Sequence, residues 1–350
     1  MKPYIKQSLW AGATLALMSS CGTVFEDGEV CSTPVVAPPV YQVRFDDSRN
    51  MNFADAFAAE VNSVKLFVID SQTQEIMLQL EETDADKLHT PGYTLELPLP
   101  SSSPATPVPD YTNRPIDLVA WCGLNAEDEN GLYSFTLTND YLASGQKNRI
   151  EDLGARLYGN LSAPMDRHLN ELHHGMLMGQ TIVGGRDTTL VVPLVRNTNN
   201  IRVVLQRIDG TALHEQDFDF EITADNALMN WDNTLEETGK PVTYTQYVKR
   251  DNTSTTGGQI VVGELSTGRM VKERAMRLRA KYEGKTLLDI PLITYALLVK
   301  GYYNEAMSDQ EFLDRQNDWS FIFFLNEQNQ WEHSNLYIND WHVVIDNVEL

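Results

Sequence analysis

The stretch YQVRFDDSRNMNFADAFAAEVNSVKLFVID, residues 41–70, decides the fold. In residues 41–45 apolar and polar side chains alternate, which is typical of a strand with one buried face. Residues 64–69 alternate in the same way, and the polar residues 70–73 after them supply a turn. Residues 76–80 repeat the alternation and can return as the partner strand of a hairpin. The stretch therefore predicts the start of a β-sheet.

Similar short strands continue to the end of the chain, whereas helical patterns are rare. Predicted strands lie at 93–99, 116–122, 132–137, 176–178, 188–195, 201–208, 217–222, 242–248, 259–265, 274–282, 287–291, 319–325 and 341–348. Phe53, Phe57 and Val61 recur every four residues and predict a short helix over a sheet edge. Ser308 and Glu311 form a capping box for a second helix. Many short strands separated by turns are typical of β-sandwiches, so the predicted fold class is all-β with short helices.

The best internal break is the polar run Asn197–Asn200, because it separates two runs of predicted strands. At roughly 150 residues per domain, two domains are also what the chain length favours. The predicted domains are sandwiches at 41–197 and 198–350.

Composition limits the classes of function. The 350 residues are 42% hydrophobic and 22% charged, with a formal net charge of −22. A globular balance of this kind excludes a disordered, collagen-like or coiled-coil chain. The strong negative charge repels phosphate backbones, so no nucleic-acid partner is expected. With only 3 cysteines the chain cannot form a disulfide-rich scaffold or a four-cysteine metal site.

The first twenty residues have the features of an export signal. Lys2 and Lys6 precede a short apolar stretch at 9–18, which is too short to span a bilayer because a membrane helix needs about 20 residues. Met18-Ser19-Ser20-Cys21 resembles a lipobox, so residues 1–20 are predicted to be a lipoprotein signal peptide and Cys21 the lipidated residue. Secretion with cleavage near Ser20 is the alternative. Residues 21–40 contain several prolines and glycines and predict an extended tether.

Motifs for catalysis or cofactor binding are absent from the sequence. It contains no Walker-type phosphate loop, no dinucleotide-binding glycine motif and no nucleophile elbow. His168, Glu171, His173 and His174 lie close together but miss the spacing of the zinc motif H-E-x-x-H, which needs both histidines one helical turn apart. The prediction is therefore no catalytic residue, no cofactor and no metal site.

Two sets of residues are more informative. Cys31 and Cys122 are the pair left once Cys21 is acylated; in an exported protein they either form a disulfide or stay as two buried thiols.

Arg274, Arg277, Arg279 and Lys281 form a basic patch in an acidic protein. Arg277, Arg279 and Lys281 share one strand face, which is either a docking surface for an acidic partner or a solvated face.

The order of several patterns gives the chain a resemblance to a known family. The patterns are Cys31, Tyr41-x-Val43-x-Phe45, Phe53-Ala54-Asp55-Ala56-Phe57-x-x-Glu60-Val61, Val64-x-Leu66-Phe67-Val68-Ile69-Asp70, Tyr93-x-Leu95-x-Leu97, Leu118-Val119-Ala120-Trp121, His174-Gly175, Val192-Pro193-Leu194-x-Arg196, Asn200-Ile201-x-Val203-x-Leu205, Phe220-x-Ile222 and Trp231-Asp232-Asn233. Together with the lipobox they resemble the FimB-type fimbrial anchor lipoproteins of Bacteroidales. The resemblance implies two transthyretin-like β-sandwich domains and an outer-membrane lipid on Cys21. It also implies a role at the base of type V pili, where the anchor holds the shaft subunits (pilins) to the cell and limits fimbrial length.

The tether bears on this expectation. The resemblance implies that shaft subunits lose an amino-terminal segment to an Arg-specific protease, but the first basic residue after Cys21 is Arg44. We therefore expect the lipid and the first strand to stay attached.

The alternative is a surface glycan- or ligand-binding lipoprotein, in which Trp231, Trp319 and Trp331 would stack on sugars. A hydrolase is a third class and would need a cleft with perturbed carboxylates.

Overall fold

A seven-stranded sheet contains most strands of the first half of the chain. The computed structural model describes residues 37–124, 131–139, 148–238, 240–253 and 259–344. The strands of this sheet are β1 (Tyr41–Asp46), β2 (Val64–Asp70), β3 (Ile76–Glu82), β4 (Thr94–Glu96), β5 (Pro115–Cys122), β8 (His173–Thr181) and β9 (Thr188–Arg196). Their order is β3-β2-β5-β8-β9-β1-β4. Only the pair formed by β1 and β9 is parallel.

The second half of the chain contributes two larger sheets. The first has the order β14-β15-β10-β18-β19-β20 and consists of β10 (Asn199–Arg207), β14 (Val248–Thr253), β15 (Gln259–Thr267), β18 (Asp318–Leu325), β19 (Trp331–Ile338) and β20 (Trp341–Val343). The second has the order β13-β11-β16-β17 and consists of β11 (Phe218–Ala224), β13 (Val242–Thr245), β16 (Met276–Tyr282) and β17 (Lys285–Pro291). A small sheet joins both halves, because β7 (Ala155–Leu157) pairs with β6 (Phe135–Leu137) on one side and with β12 (Leu228–Met229), from the second half, on the other.

The two halves share an unusual strand pairing. In the first half β1 runs parallel to the much later strand β9, from Tyr41 opposite Thr188 to Asp46 opposite Pro193. In the second half β10 runs parallel to the much later strand β18. No residue-level repeat accompanies this correspondence, which is visible only in the topology.

The central strands β2 and β5 of the seven-stranded sheet are buried on both faces. Every residue of β2 is buried, and its alternate side chains belong to two different cores. Leu66 and Val68 pack with β1, whereas Phe67 and Ile69 belong to a larger core that continues into the second half of the chain. The outer strands of the sheet are less buried, as β3 shows. The sandwich-type, all-β prediction is thus confirmed.

The short helices agree only in part with prediction. They are α1 (Phe57–Glu60), α2 (Ala85–Leu88), α3 (Leu292–Leu297), α4 (Lys300–Tyr303) and α5 (Asp309–Arg315). The capping-box prediction is confirmed at α5, where the Ser308 hydroxyl accepts a hydrogen bond from the Glu311 amide at 3.1 Å. The helix predicted over 53–61 is wrong over its first half: Phe53 has a positive φ of 52° and is 59% exposed. Helices α3 and α4 follow β17 without a sequence signal that predicted them.

The polar break between the halves is not an exposed linker. Strand β9 ends at Arg196 and β10 begins at Asn199, which leaves two residues between them. Asn197, Thr198 and Asn199 are all buried, at 0%, 1% and 2% exposure. Buried amides need hydrogen-bond partners, and here the partner of Asn197 lies in the second half of the chain.

Candidate functional site

The first strand is held firmly in the protein. Strand β1 has β9 on one side and β4 on the other, so both of its edges are hydrogen-bonded. Tyr41, Val43 and Phe45 point into the core and are 2%, 0% and 1% exposed. Just before the strand, the Val40 amide donates to Asp187 Oδ1 at 2.8 Å. Removing β1 would expose three large side chains, each contributing about 1.5–3 kcal/mol to the free energy of unfolding.

Of the three cysteines, one falls within the described residues. Cys21 and Cys31 lie outside them, so lipidation and the disulfide stay predictions. Cys122 ends β5, is fully buried, and lies opposite His173 on the neighbouring strand β8. Burial and then the negative charge of Asp47 raise the pKa of the Cys122 thiol. A thiol in this environment is unreactive.

The predicted basic face is balanced by carboxylates. On β16, Arg277 and Arg279 share Asp289, at 2.7 Å and 3.0 Å, and Lys281 contacts Glu221 at 2.6 Å. Arg274 precedes the strand and contacts Glu237 at 2.9 Å. The four cations thus face three carboxylates from neighbouring segments, which reduces the positive field. The role of Arg274, Arg277, Arg279 and Lys281 in docking stays a prediction.

A polar junction connects the two halves of the chain. His174 Nε2 donates to the carbonyl oxygen of Trp231 at 2.7 Å, and burial lowers the pKa of His174 to about 4, so the ring is neutral. The side-chain amides of Asn197 and Asn233 exchange two hydrogen bonds, at 2.6 Å and 3.1 Å, and both residues are buried. The Arg269 guanidinium donates to the Asn233 carbonyl as well. We call His174, Trp231, Asn197, Asn233 and Arg269 the junction cluster.

Of the three tryptophans expected to stack on sugars, two are buried in the core. Trp319 and Trp331 are 2% and 9% exposed, and Trp231 is partly buried against the core. The exposed aromatic residues lie elsewhere. Tyr302 and Trp341 are 53% and 36% exposed, and their rings are stacked with centroids 4.5 Å apart.

The histidine-rich segment does not form one site. His173 and His174 are neighbours on β8, so their side chains point to opposite faces of the sheet. His174 contacts the Trp121 ring, with centroids 4.5 Å apart, whereas His168 Nε2 lies 3.1 Å from Asn200 Oδ1. His173 instead meets Asp47 and Glu60, which are distant in sequence. Burial lowers the pKa of His173, but the two carboxylates outweigh burial and raise it.

Comparison with known proteins identifies the family. No curated protein gives a significant match to the chain. The sequence profile of the fimbrillin-A associated anchor proteins Mfa1 and Mfa2 matches residues 34–347. The chain belongs to this family. It is therefore a fimbria-associated protein of the cell surface, and the family is one of anchor proteins rather than enzymes.

Solved structures of related proteins share the fold. A candidate adhesin from Bacteroides thetaiotaomicron is 30% identical with a TM-score of 0.74, and the match covers 89% of this chain and 100% of that one. A candidate polysaccharide-binding protein from the same species is 26% identical with a TM-score of 0.72, covering 88% and 98%. The fimbrial anchor protein Mfa2 from Porphyromonas gingivalis is 12% identical with a TM-score of 0.60, covering 88% and 99%. At that identity the last likeness shows the fold alone.

The described residues contain no helix that is long and apolar enough to cross a membrane.

The sequence singles out some residues of the junction cluster but does not show that they contact one another. Both His174-Gly175 and Trp231-Asp232-Asn233 stand among the patterns of the family resemblance, but nothing in the sequence pairs them. Asp232 acts as a turn residue: its Oδ1 accepts hydrogen bonds from the Thr234 amide and hydroxyl, at 3.0 Å and 2.6 Å. The positive φ of Asn233, 67°, is part of the same turn.

Proposed function

We propose that this chain is an outer-membrane lipoprotein that anchors a fimbria, a type V pilus, at its base and limits its length. The lipid on Cys21 would hold it in the membrane with the folded part exposed at the cell surface, and pilins would be its partners. Membership of the anchor family supports the proposal. More than one acyl chain on a single residue makes attachment effectively stable.

The position of β1 is the observation that carries the proposal. The strand begins at Tyr41, and no Lys or Arg lies between Cys21 and Arg44, which is the fourth residue of the strand. It is paired on both edges and fills the core with Tyr41, Val43 and Phe45. An Arg-specific protease therefore has no site before the strand, and the strand stays joined to the lipid. A continuous covalent path from lipid to folded protein is what an anchor needs.

Two tandem sandwiches, at 41–197 and 198–350, are part of the proposal. The parallel pairing of β1 with β9 and of β10 with β18 supports it, since each half then has the same arrangement of an early and a late strand. The junction cluster would fix one half against the other under tension.

Deletion of the gene, followed by electron microscopy of cells and medium, tests the function. We expect filaments to be shed into the medium and filament lengths to spread to longer values, and we expect both changes to be reversed by the restored gene. Filaments that stay on the cells at unchanged length would contradict the proposal.

Polysaccharide binding is the second candidate function. It is favoured by the 26% identical structure described as a candidate polysaccharide-binding protein, and by the exposed rings of Tyr302 and Trp341. Aromatic faces bind sugars by stacking on their apolar C–H surfaces. Retention on immobilised surface polysaccharide that falls in Tyr302→Ala would favour this function. Recovery of pilins with the protein, and no retention on polysaccharide, would exclude it.

A further inference from the structure

Three chemically suitable side chains meet at the carboxyl end of the first strand. Asp47 directly follows β1, Glu60 ends α1, and His173 begins β8. His173 Nε2 lies 3.5 Å from Asp47 Oδ2 and 3.5 Å from Glu60 Oε2. One ligand atom from each residue lies within 4.8 Å of the other two, a grouping of imidazole and carboxylates found once in the described part of the chain. We call these residues the clasp cluster.

The imidazole of the clasp cluster lacks hydrogen bonds. His173 is 0% exposed, and neither Nδ1 nor Nε2 has a hydrogen-bond partner. A buried polar atom without a partner costs about 1–3 kcal/mol of stability, and a bound ion is one way in which such an atom gains a partner. Asp47, which faces Nε2, is itself only 3% exposed.

The spacing of the ligand atoms fits a metal ion. In a tetrahedral site with bonds of about 2.0–2.1 Å, neighbouring ligand atoms are about 3.3–3.4 Å apart. The two separations of 3.5 Å from His173 Nε2 are close to that value. They are long for a hydrogen bond between an imidazole and a carboxylate, which is about 2.7–2.9 Å when the pair is charged.

The carboxylates of the clasp cluster lie next to a guanidinium group. Arg196 contacts Glu60 Oε2 at 3.2 Å and Glu171 Oε1 at 3.5 Å. Asp47 and Glu60 place two carboxylates at His173 Nε2. A divalent cation matches these two carboxylates. Arg196 would act as the outer-shell group that orients the liganding carboxylate.

A route from solvent exists. A cavity of about 210 Å³ is lined by Asp47, Glu60 and Arg196, and by residues of the loop after β1 and of the segment after α5. A hydrated ion can therefore reach the carboxylates, and a water molecule can fill the fourth position.

We propose that Asp47, Glu60 and His173 bind a Zn²⁺ ion. One imidazole and two carboxylates with an open position form a donor set that suits Zn²⁺ better than Ca²⁺ or Mg²⁺, which prefer oxygen alone. The ion joins the end of β1 to α1 and β8, and so fastens the first strand to the sheet independently of any role in anchoring.

Zinc titration of the full-length protein, purified in detergent and freed of metal with a chelator, tests the proposal. We expect one Zn²⁺ per chain by calorimetry and elemental analysis, and a rise in melting temperature on adding Zn²⁺ because the ion binds only the folded state. Co²⁺ in place of Zn²⁺ should give the visible absorption of a tetrahedral site.

Variants show whether these three residues are the ligands. Glu60→Gln keeps the side-chain shape at a half-buried position and should weaken zinc binding at least about tenfold. His173→Gln and Asp47→Asn should abolish the zinc-dependent rise in melting temperature, and circular dichroism checks their fold. His214→Gln is the matched control, because His214 Nδ1 lies 4.0 Å from Asp251 Oδ2 on the surface and should leave binding unchanged. No bound zinc in the wild type, or equal binding in Glu60→Gln and the control, would overturn the proposal.

Discussion

His174 Nε2 donates a hydrogen bond to the backbone carbonyl oxygen of Trp231 at 2.7 Å. The carbonyl can only accept, so the proton of the neutral ring lies on Nε2. This contact joins β8 of the first half to the turn after β12 in the second half. It is one of several buried polar contacts in the junction cluster, and such contacts fix a single arrangement of the elements they connect.

Replacement of His174 tests the contribution of this hydrogen bond. His174→Leu keeps most of the volume but leaves the Trp231 carbonyl unpaired, so we expect a loss of about 1–3 kcal/mol in the free energy of unfolding. Urea denaturation followed by tryptophan fluorescence measures the loss. His168→Leu, at an exposed histidine, should change it by less than about 0.5 kcal/mol. Equal effects of the two variants would contradict the assignment.

The paired amides of Asn197 and Asn233 should be energetically coupled. A double-mutant cycle uses Asn197→Ala and Asn233→Gly, because the positive φ of Asn233 tolerates glycine and not alanine. We expect a coupling free energy of about 1–2 kcal/mol from unfolding curves, since each single variant leaves the other amide buried and unpaired. The same cycle on the exposed pair Asn326 and Gln330 should couple by less than about 0.5 kcal/mol. Additive effects at Asn197 and Asn233 would show that the two amides act separately.

The ion pairs of the basic face predict that the free energy of unfolding depends on pH. Burial raises the pKa of Asp289, but Arg277 and Arg279 outweigh burial and lower it below the unfolded value. Stabilisation by this carboxylate is therefore fully present above about pH 4, the unfolded pKa, and is lost as the pH falls through the folded pKa. Because the group is partly exposed, we expect Asp289→Asn to lower the free energy of unfolding by less than about 1 kcal/mol at pH 7.

Urea denaturation between pH 7 and pH 3 checks this dependence. The difference in the free energy of unfolding between the wild type and Asp289→Asn should become smaller toward pH 3. Glu305→Gln, at an exposed loop position, should show no such trend. A difference that stays constant with pH would mean that the carboxylate charge of Asp289 contributes nothing.

The absence of Lys and Arg from the tether sequence gives a prediction about proteolysis. Val36→Arg places an arginine before Ala37 in the segment that precedes β1. In cells that contain an Arg-specific surface protease, we expect this variant to be cut and the folded part to be released into the medium. Val36→Gln adds a polar side chain without a cleavage site and should stay with the cells. Immunoblots of cells and medium measure the release, and equal retention of both variants would argue against a protease-accessible tether.

Most strands of the fold are predictable because their burial follows local alternation, although β7, β12 and β19 are not among the predicted strands. Strand β2 shows this best: Leu66 and Val68 face one core while Phe67 and Ile69 face the other, as the period of two requires. The burial of Trp319 and Trp331 also follows the ordinary preference of large aromatic side chains for the core of a sandwich.

The helix predicted from Phe53 failed because local side chains compete for the backbone. The Asn50 side chain donates to the carbonyls of Asp47 and Ala54, each at 2.7 Å, and holds the chain in a turn. Asp55 Oδ1 accepts a hydrogen bond from the Phe57 amide at 3.1 Å. The helix therefore begins only at Phe57. Phe53 then lies outside the helix and its ring contacts the Arg315 guanidinium, 4.6 Å from the ring centroid.

Contacts between distant segments could not be predicted from spacing. Asp47 and Glu60 meet His173 only because β1 lies next to β9, with β8 beyond it in the same sheet. The same holds for the carboxylates that balance the basic face, since Glu221 and Asp289 come from strands on either side of β16. A linear motif describes only sites whose ligands come from one segment.

The anchoring proposal is tested most directly by the amount of protein retained in the envelope when Cys21 is replaced. Cells producing Cys21→Ala, Cys31→Ala or the wild type are separated into outer membrane and medium, and the protein and its fimbriae are measured in each fraction. The proposal predicts that Cys21→Ala loses the protein and its fimbriae to the medium, while Cys31→Ala retains both as the wild type does. Retention of Cys21→Ala in the outer membrane at the wild-type level would contradict it.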